Sequence, residues 1–314
     1  MARRKPQPPH RSDGSDPLVR LGQGDYAREI RPEQATTADG AIDLARVLIR
    51  EPAETYHARR GECLTSHRLA EFRSCPLLFR RKEMGLIPNR DSHAFLVGRA
   101  AHTLILEGRE RYEAEYAVGG PINPKTGQPY GSGTKAFAAW AEKRGKPVLP
   151  DTDAATVEQM AASVREHLFA RELLAEGVAE GVVRARMNGV LCQARFDWIN
   201  SKDGRGIVDL KTADSLDSFE SHIEAFGYLH QLAFYRALLA VVSGLALPVH
   251  IVAVEKREPF RCGVWQIAER CLDAAQADND RAIEDLVRCR ESGHWPTGFE
   301  SMRLYDRLPL TSQS

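Results

Sequence analysis

The chain has 314 residues, 43% hydrophobic and 27% charged, with 43 basic side chains balanced by 43 acidic ones. This is a globular composition with enough apolar residues for a sizeable core; zero net charge excludes bulk polyanion binding of the histone kind but leaves room for a local basic groove. The longest apolar stretch, Leu238 to Val249, contains Ser243, Gly244 and Pro248, well short of the ~18 apolar residues a membrane helix needs.

Residues 1–40 are rich in Pro, Arg, Gln, Asp and Gly, and the pattern predicts a disordered tail whose Arg3, Arg4 and Lys5 are solvated. The opening MARRKPQPPH is basic but has no apolar core of a signal peptide, so a cytoplasmic protein with no membrane contact is expected. The remainder, 41–314, reads as one domain. Six cysteines lack CxxC spacing, which argues against a disulfide framework or zinc ribbon, and no iron–sulfur cluster is expected.

In chain order, a hydroxyl N-cap at Thr65 or Ser66 opens a helix that Pro76 interrupts or kinks. A second helix is predicted from His93 to Glu107, stopped by Gly108, and the Gly- and Pro-rich stretch from Gly119 to Gly133 reads as a loop. Helices follow at 134–144 and 153–176. The pattern then changes: 181–200 reads as a β-hairpin around Asn188-Gly189, and 206–212 as a short buried strand. A helix from Ser218 to Leu239, strands at 249–255 and 262–267 and a helix at 269–291 complete the order. Together they predict an α/β fold with a mixed central sheet flanked by helices.

The chemistry concentrates around Asp197, Asp209 and Lys211. On a strand, positions 209 and 211 project to one face, and an acid at the end of the hairpin strand can reach the same point. Two carboxylates there would hold a hard cation, with the ammonium beside the attacking water or the developing charge, as phosphodiester chemistry requires. An Asp-x-Lys match alone arises by chance roughly once in a chain this long. The setting raises its significance, because IleValAspLeuLysThr (207–212) places the acid among apolar neighbours where an idle charge is costly. Tyr228, Gln231 and Tyr235 form one polar-aromatic helical stripe, and Gly98 lies one turn before His102. By themselves these read first as a helix surface and a structural histidine. Gly131 to Lys135 lacks the ending of a phosphate-binding loop, and Cys63 with His67 is half a zinc site at most.

Taken in order, the Gly98-x-x-x-His102 helix, ValLeuCysGlnAlaArgPheAsp (190–197), IleValAspLeuLysThr and Gln231-x-x-x-Tyr235 resemble the PD-(D/E)xK nuclease superfamily, with its restriction-endonuclease-like fold. Within it the chain is most similar to the C-terminal exonuclease domain of the RecE type, related to lambda exonuclease and the RecB nuclease domain, from about Tyr56 to Trp295. The resemblance implies Asp197 and Asp209 as Mg²⁺ ligands, with Mn²⁺ as a substitute, and His102 as a further ligand or neighbour. Lys211 would position or activate water, and Gln231 and Tyr235 would support the site or contact DNA. Glu180 matches an additional acid. The segment 59–66 resembles one that meets a 5′-phosphate, which makes Arg60 and Ser66 candidates for DNA binding; Arg73 and Arg80 join them from the basic stretch that follows. The proline usual before the first aspartate is Phe196 here.

The activity implied is a Mg²⁺-dependent 5′→3′ exodeoxyribonuclease on linear duplex ends in phage-type recombination, with a RecT-type single-strand annealing protein as partner and a homo-oligomeric ring of three or four. A non-catalytic DNA-end-binding protein on a degenerate nuclease fold and a RecB-like single-strand nuclease are the alternatives. The stretch from Arg59 to Arg99 carries nine basic residues (Arg59, Arg60, Arg68, Arg73, Arg80, Arg81, Lys82, Arg90 and Arg99) against Glu62, Glu71, Glu83 and Asp91, and is expected to line the DNA channel.

Overall fold

The computed structural model describes residues 43–87, 93–200 and 205–306. The N-terminal tail, Arg90 and Asp91 lie outside the described residues. The chain begins with α1 (Leu44–Val47), α2 (Ala53–Ala58), α3 (Ser66–Ser74), α4 (Pro76–Glu83), α5 (His93–His102) and α6 (Arg109–Glu115). Next come β1 (Ala117–Val118), α7 (Lys135–Glu142), β2 (Val148–Leu149), α8 (Asp151–Glu166) and α9 (Leu168–Leu173). The second half holds β3 (Val178–Met187), β4 (Val190–Asn200), β5 (Gly206–Ala213), α10 (Phe219–Ala225), α11 (Tyr228–Ser243), β6 (Val249–Glu255), β7 (Cys262–Gln266) and α12 (Glu269–Ser292).

Strands β3 to β7 form one sheet in sequence order. β3, β4 and β5 pair antiparallel, β5 and β6 parallel, and β6 and β7 antiparallel. The parallel pair is joined by α10 and α11, the helical crossover that two parallel neighbours require. Because successive strand residues face opposite sides, the sheet is buried on both. Ile207, Ile251 and Ala253 pack with α11, α12 and α3 on one face, and Val208, Leu210, Val252 and Val254 pack with α5 and α8 on the other. The expected mixed sheet flanked by helices is therefore the observed architecture.

Three expected helices are each divided in two. Of the two expected outcomes Pro76 gives the interruption, and it also starts a second helix: Cys75 is extended, and its sulfur accepts the amide of Leu78 as the cap of α4. The helix expected over 153–176 ends at Glu166 and restarts after an extended His167 whose ring accepts the amide of Ala170. The helix expected over 218–239 breaks at Phe226 and Gly227, its two parts meeting at 66°. No single described helix is long and apolar enough to cross a membrane.

Candidate active site

Strands β4 and β5 pair only through Trp198–Val208, Ile199–Ile207 and Asn200–Gly206. Beyond these pairs the Asp197 side chain takes over the ladder's work: its Oδ2 accepts the amide of Leu210 at 2.8 Å. On its other side Asp197 lies opposite Glu180, between the pairs Ala179–Trp198 and Gly181–Phe196. Glu180 adopts φ +57, and the regular pairing lapses there. Asp197 thus sits where both of its ladders are interrupted, and that frees an acid at mid-strand for chemistry. Antiparallel geometry also sets it against Asp209.

Asp209 is 1% exposed, and its Oδ2 forms an ion pair with Lys211 Nζ at 2.5 Å. Gln231 bridges the pair: Lys211 Nζ donates to its Oε1 at 3.3 Å, and its Nε2 donates to Asp209 Oδ1 at 3.4 Å and to the Tyr235 hydroxyl oxygen at 3.1 Å. His102 Nδ1 lies 3.6 Å from Asp197 Oδ2. It ends α5, and the next five residues, Thr103–Glu107, form a π-helical turn of a kind that recurs at functional sites. A methyl group added at Gly98 would meet the Thr212 hydroxyl at 3.6 Å, an ordinary contact, so α5 approaches β5 closely without space alone demanding glycine. Asp197, Asp209, Lys211, His102, Gln231, Tyr235 and Glu180 are thereby brought together from three strands and two helices.

Burial raises the proton affinity of Asp209 and Asp197, and Lys211 only partly offsets it. For Lys211 burial acts downward, but the two carboxylates outweigh it and hold the lysine as an ammonium. Burial, with Lys211 adding to it, keeps His102 well below its ordinary value and so neutral at pH 7. Glu180 is pushed upward by burial and then by the Asp197 charge, against Arg195, whose Nε lies 2.6 Å from its carboxylate. Among the described residues no three His, Cys, Asp or Glu side chains stand ready as a metal cluster. The donor chemistry nevertheless fits a hard cation: two carboxylates whose protonation burial favours, drawn towards the charged form by the Lys211 ammonium, and a neutral imidazole.

The basic candidates divide. The charge of Arg60 is felt by Tyr56, His57 and His67, and Ser66 opens α3 with a buried hydroxyl that has no partner. Arg73 instead donates to Asn279, and Arg80 pairs with Glu83 and lies over Trp295. Arg68 also pairs with Glu83, and Lys82 with Glu71. These contacts tie α3 to α4 and α12.

His67, set aside in the sequence as half a zinc site, is lowered by burial and then by the charge of Lys211. Arg195 was missed; it lies two residues before Asp197, a strand-period spacing that would have pointed to it.

A mixed sheet with acids gathered where β4 parts from β5 defines a protein of the PD-(D/E)xK-like fold. The chain belongs to the family described as "PDDEXK-like domain of unknown function (DUF3799)", whose model matches residues 66–306. A solved structure from Eubacterium rectale, described as a "Putative exonuclease", shares the fold with a TM-score of 0.56 at 12% identity, over 83% of this chain and 96% of that one. No curated protein matches the sequence.

Proposed function

We propose that this protein is a metal-dependent deoxyribonuclease acting on the ends of linear duplex DNA in the 5′→3′ direction. The observation that carries the reading is the set of buried Asp209 with half-buried Asp197, Lys211 and Gln231, in which Gln231 bridges the Asp209–Lys211 pair and Asp197 is held by the Leu210 amide. Asp197 and Asp209 would hold Mg²⁺ or Mn²⁺, with His102 as a neutral third ligand or neighbour. Such a cation, when bound, neutralises phosphate oxygens and lowers the pKa of water.

The remaining work falls to the protein's own groups. Lys211 stays protonated, so it acts as a donor to water or to the charge developing on phosphate rather than as a base. Gln231 accepts a second hydrogen bond from the ammonium and so helps fix its direction. Tyr235 fixes Gln231, and Phe196 supports Tyr235 with ring centroids 5.2 Å apart. The N-terminus of α3, with Ser66, His67 and Arg60 nearby, is suited to receive a terminal 5′-phosphate. A single-strand annealing protein of the RecT type is the proposed partner, and a ring of three or four copies the proposed assembly.

Degradation of end-labelled linear duplex tests this reading. Asp209→Asn and Lys211→Ala are each expected to reduce Mg²⁺-dependent product by at least about 10³-fold while circular dichroism stays native; unchanged activity in both overturns the site.

A further inference from the structure

The break between α10 and α11 has a consequence at the site. Gly227 adopts φ +69, and no atom lies within 4 Å of where its Cβ would be, so backbone conformation and not crowding selects glycine. The bend leaves Phe226 64% exposed. Its ring is 5.1 Å from that of His222 and 5.9 Å from that of Tyr228. Tyr228 in turn is backed by buried Phe219 at 6.3 Å, which packs on Trp265 at 4.6 Å, and the Tyr228 ring lies 4.8 Å from Lys211 Nζ. A supported row of rings therefore leads from solvent to the ammonium beside Asp209, and its outermost member buries little of itself against the fold.

From this row we propose that Phe226, backed by Tyr228, is a stacking platform for an unpaired nucleobase of the strand being cut. The inference rests on the nuclease reading and deepens it by naming the form of substrate at the site: a strand whose end has left the duplex stack. An aromatic face takes any base, because every base has a π-face. Inside a duplex both faces of a base are covered by neighbours, so only an unpaired or terminal base can meet an exposed ring. Phe226 is two ring contacts from Lys211, which assigns the stacked base to a nucleotide at or next to the scissile phosphate.

The test uses the full chain in chelator, where nothing is cut, with a single-stranded oligonucleotide carrying 2-aminopurine at its end and a blunt duplex of the same length. The wild type is expected to quench the single-strand signal. Phe226→Ala is expected to bind the single strand about tenfold more weakly and to lose the quench. Phe226→Tyr should retain both, and Phe226→Leu, which keeps apolar bulk without a ring, should behave like the alanine variant. Alanine and leucine variants that bind and quench as the wild type does overturn the proposal. The nuclease reading fails on a separate observation, the absence of any Mg²⁺-dependent product from wild-type protein and linear DNA.

Discussion

Phe196 stands where the resembling enzymes carry a proline, and its ring is fully buried against Tyr235. Its role here is packing: Tyr235 is held by Phe196 on one side and meets the Gln231 amide on the other. This chain makes the orientation of Gln231, and through it the Asp209–Lys211 pair, depend on one phenol. Tyr235→Phe is therefore expected to lower the turnover rate about fivefold, the worth of about one hydrogen bond, while the melting curve moves little. Steady-state rates on linear duplex, with Gln231→Ala as the larger lesion, check the order of effects. The Tyr235 hydroxyl itself stays protonated, since burial raises it well above its ordinary value.

Among the helices, Glu83 gathers part of the basic stretch after Arg59 into the fold. Its side chain is 10% exposed and receives Arg68 at 2.6 Å, Arg80 at 2.9 Å and Arg290 at 3.2 Å, which ties α3, α4 and α12 together. Removing the carboxylate leaves desolvated guanidinium groups unpaired, so Glu83→Ala should cost about 3 kcal/mol in chemical denaturation. Burial alone would raise the Glu83 carboxyl, but Arg80, Arg68 and Arg290 prevail and lower it. A folded-state value below the unfolded one, about 4.3, gives a contribution complete above that pH and lost as pH falls through the folded value. Wild-type stability should accordingly fall below about pH 4 more steeply than that of Glu83→Gln, as urea titrations across that range would show.

For the molecule as a whole, a zero net charge hides a division of labour among its cations. Arg68, Arg80 and Lys82 are neutralised within the fold, whereas the charge of Arg60 acts on Tyr56, His57 and His67. DNA affinity should weaken with salt, and Arg60→Ala should flatten the log–log slope by about one, whereas Arg68→Ala should lower stability instead. Binding titrations at several salt concentrations separate the two. Closed circular DNA should resist degradation under conditions that consume the linear form, and breakdown of circles would refute action from ends.

The sequence alone determined what depends on local pattern. Alternating apolar residues and Asn188-Gly189 set the hairpin, the 207–212 run set β5, and the order of motifs set the mixed sheet and its acid-acid-lysine set. These signals survive because side-chain period and turn chemistry are properties of neighbours in the chain. Tertiary structure decided the rest. Only the parting of β4 from β5, and the left-handed Glu180 opposite Asp197, freed that acid at mid-strand. Contacts between residues far apart in sequence, Arg290 with Glu83 and Arg73 with Asn279, tie helices together, and the bend at Gly227 leaves Phe226 exposed. Charge and ring positions of this kind follow from which surfaces meet after folding, which no window of consecutive residues encodes.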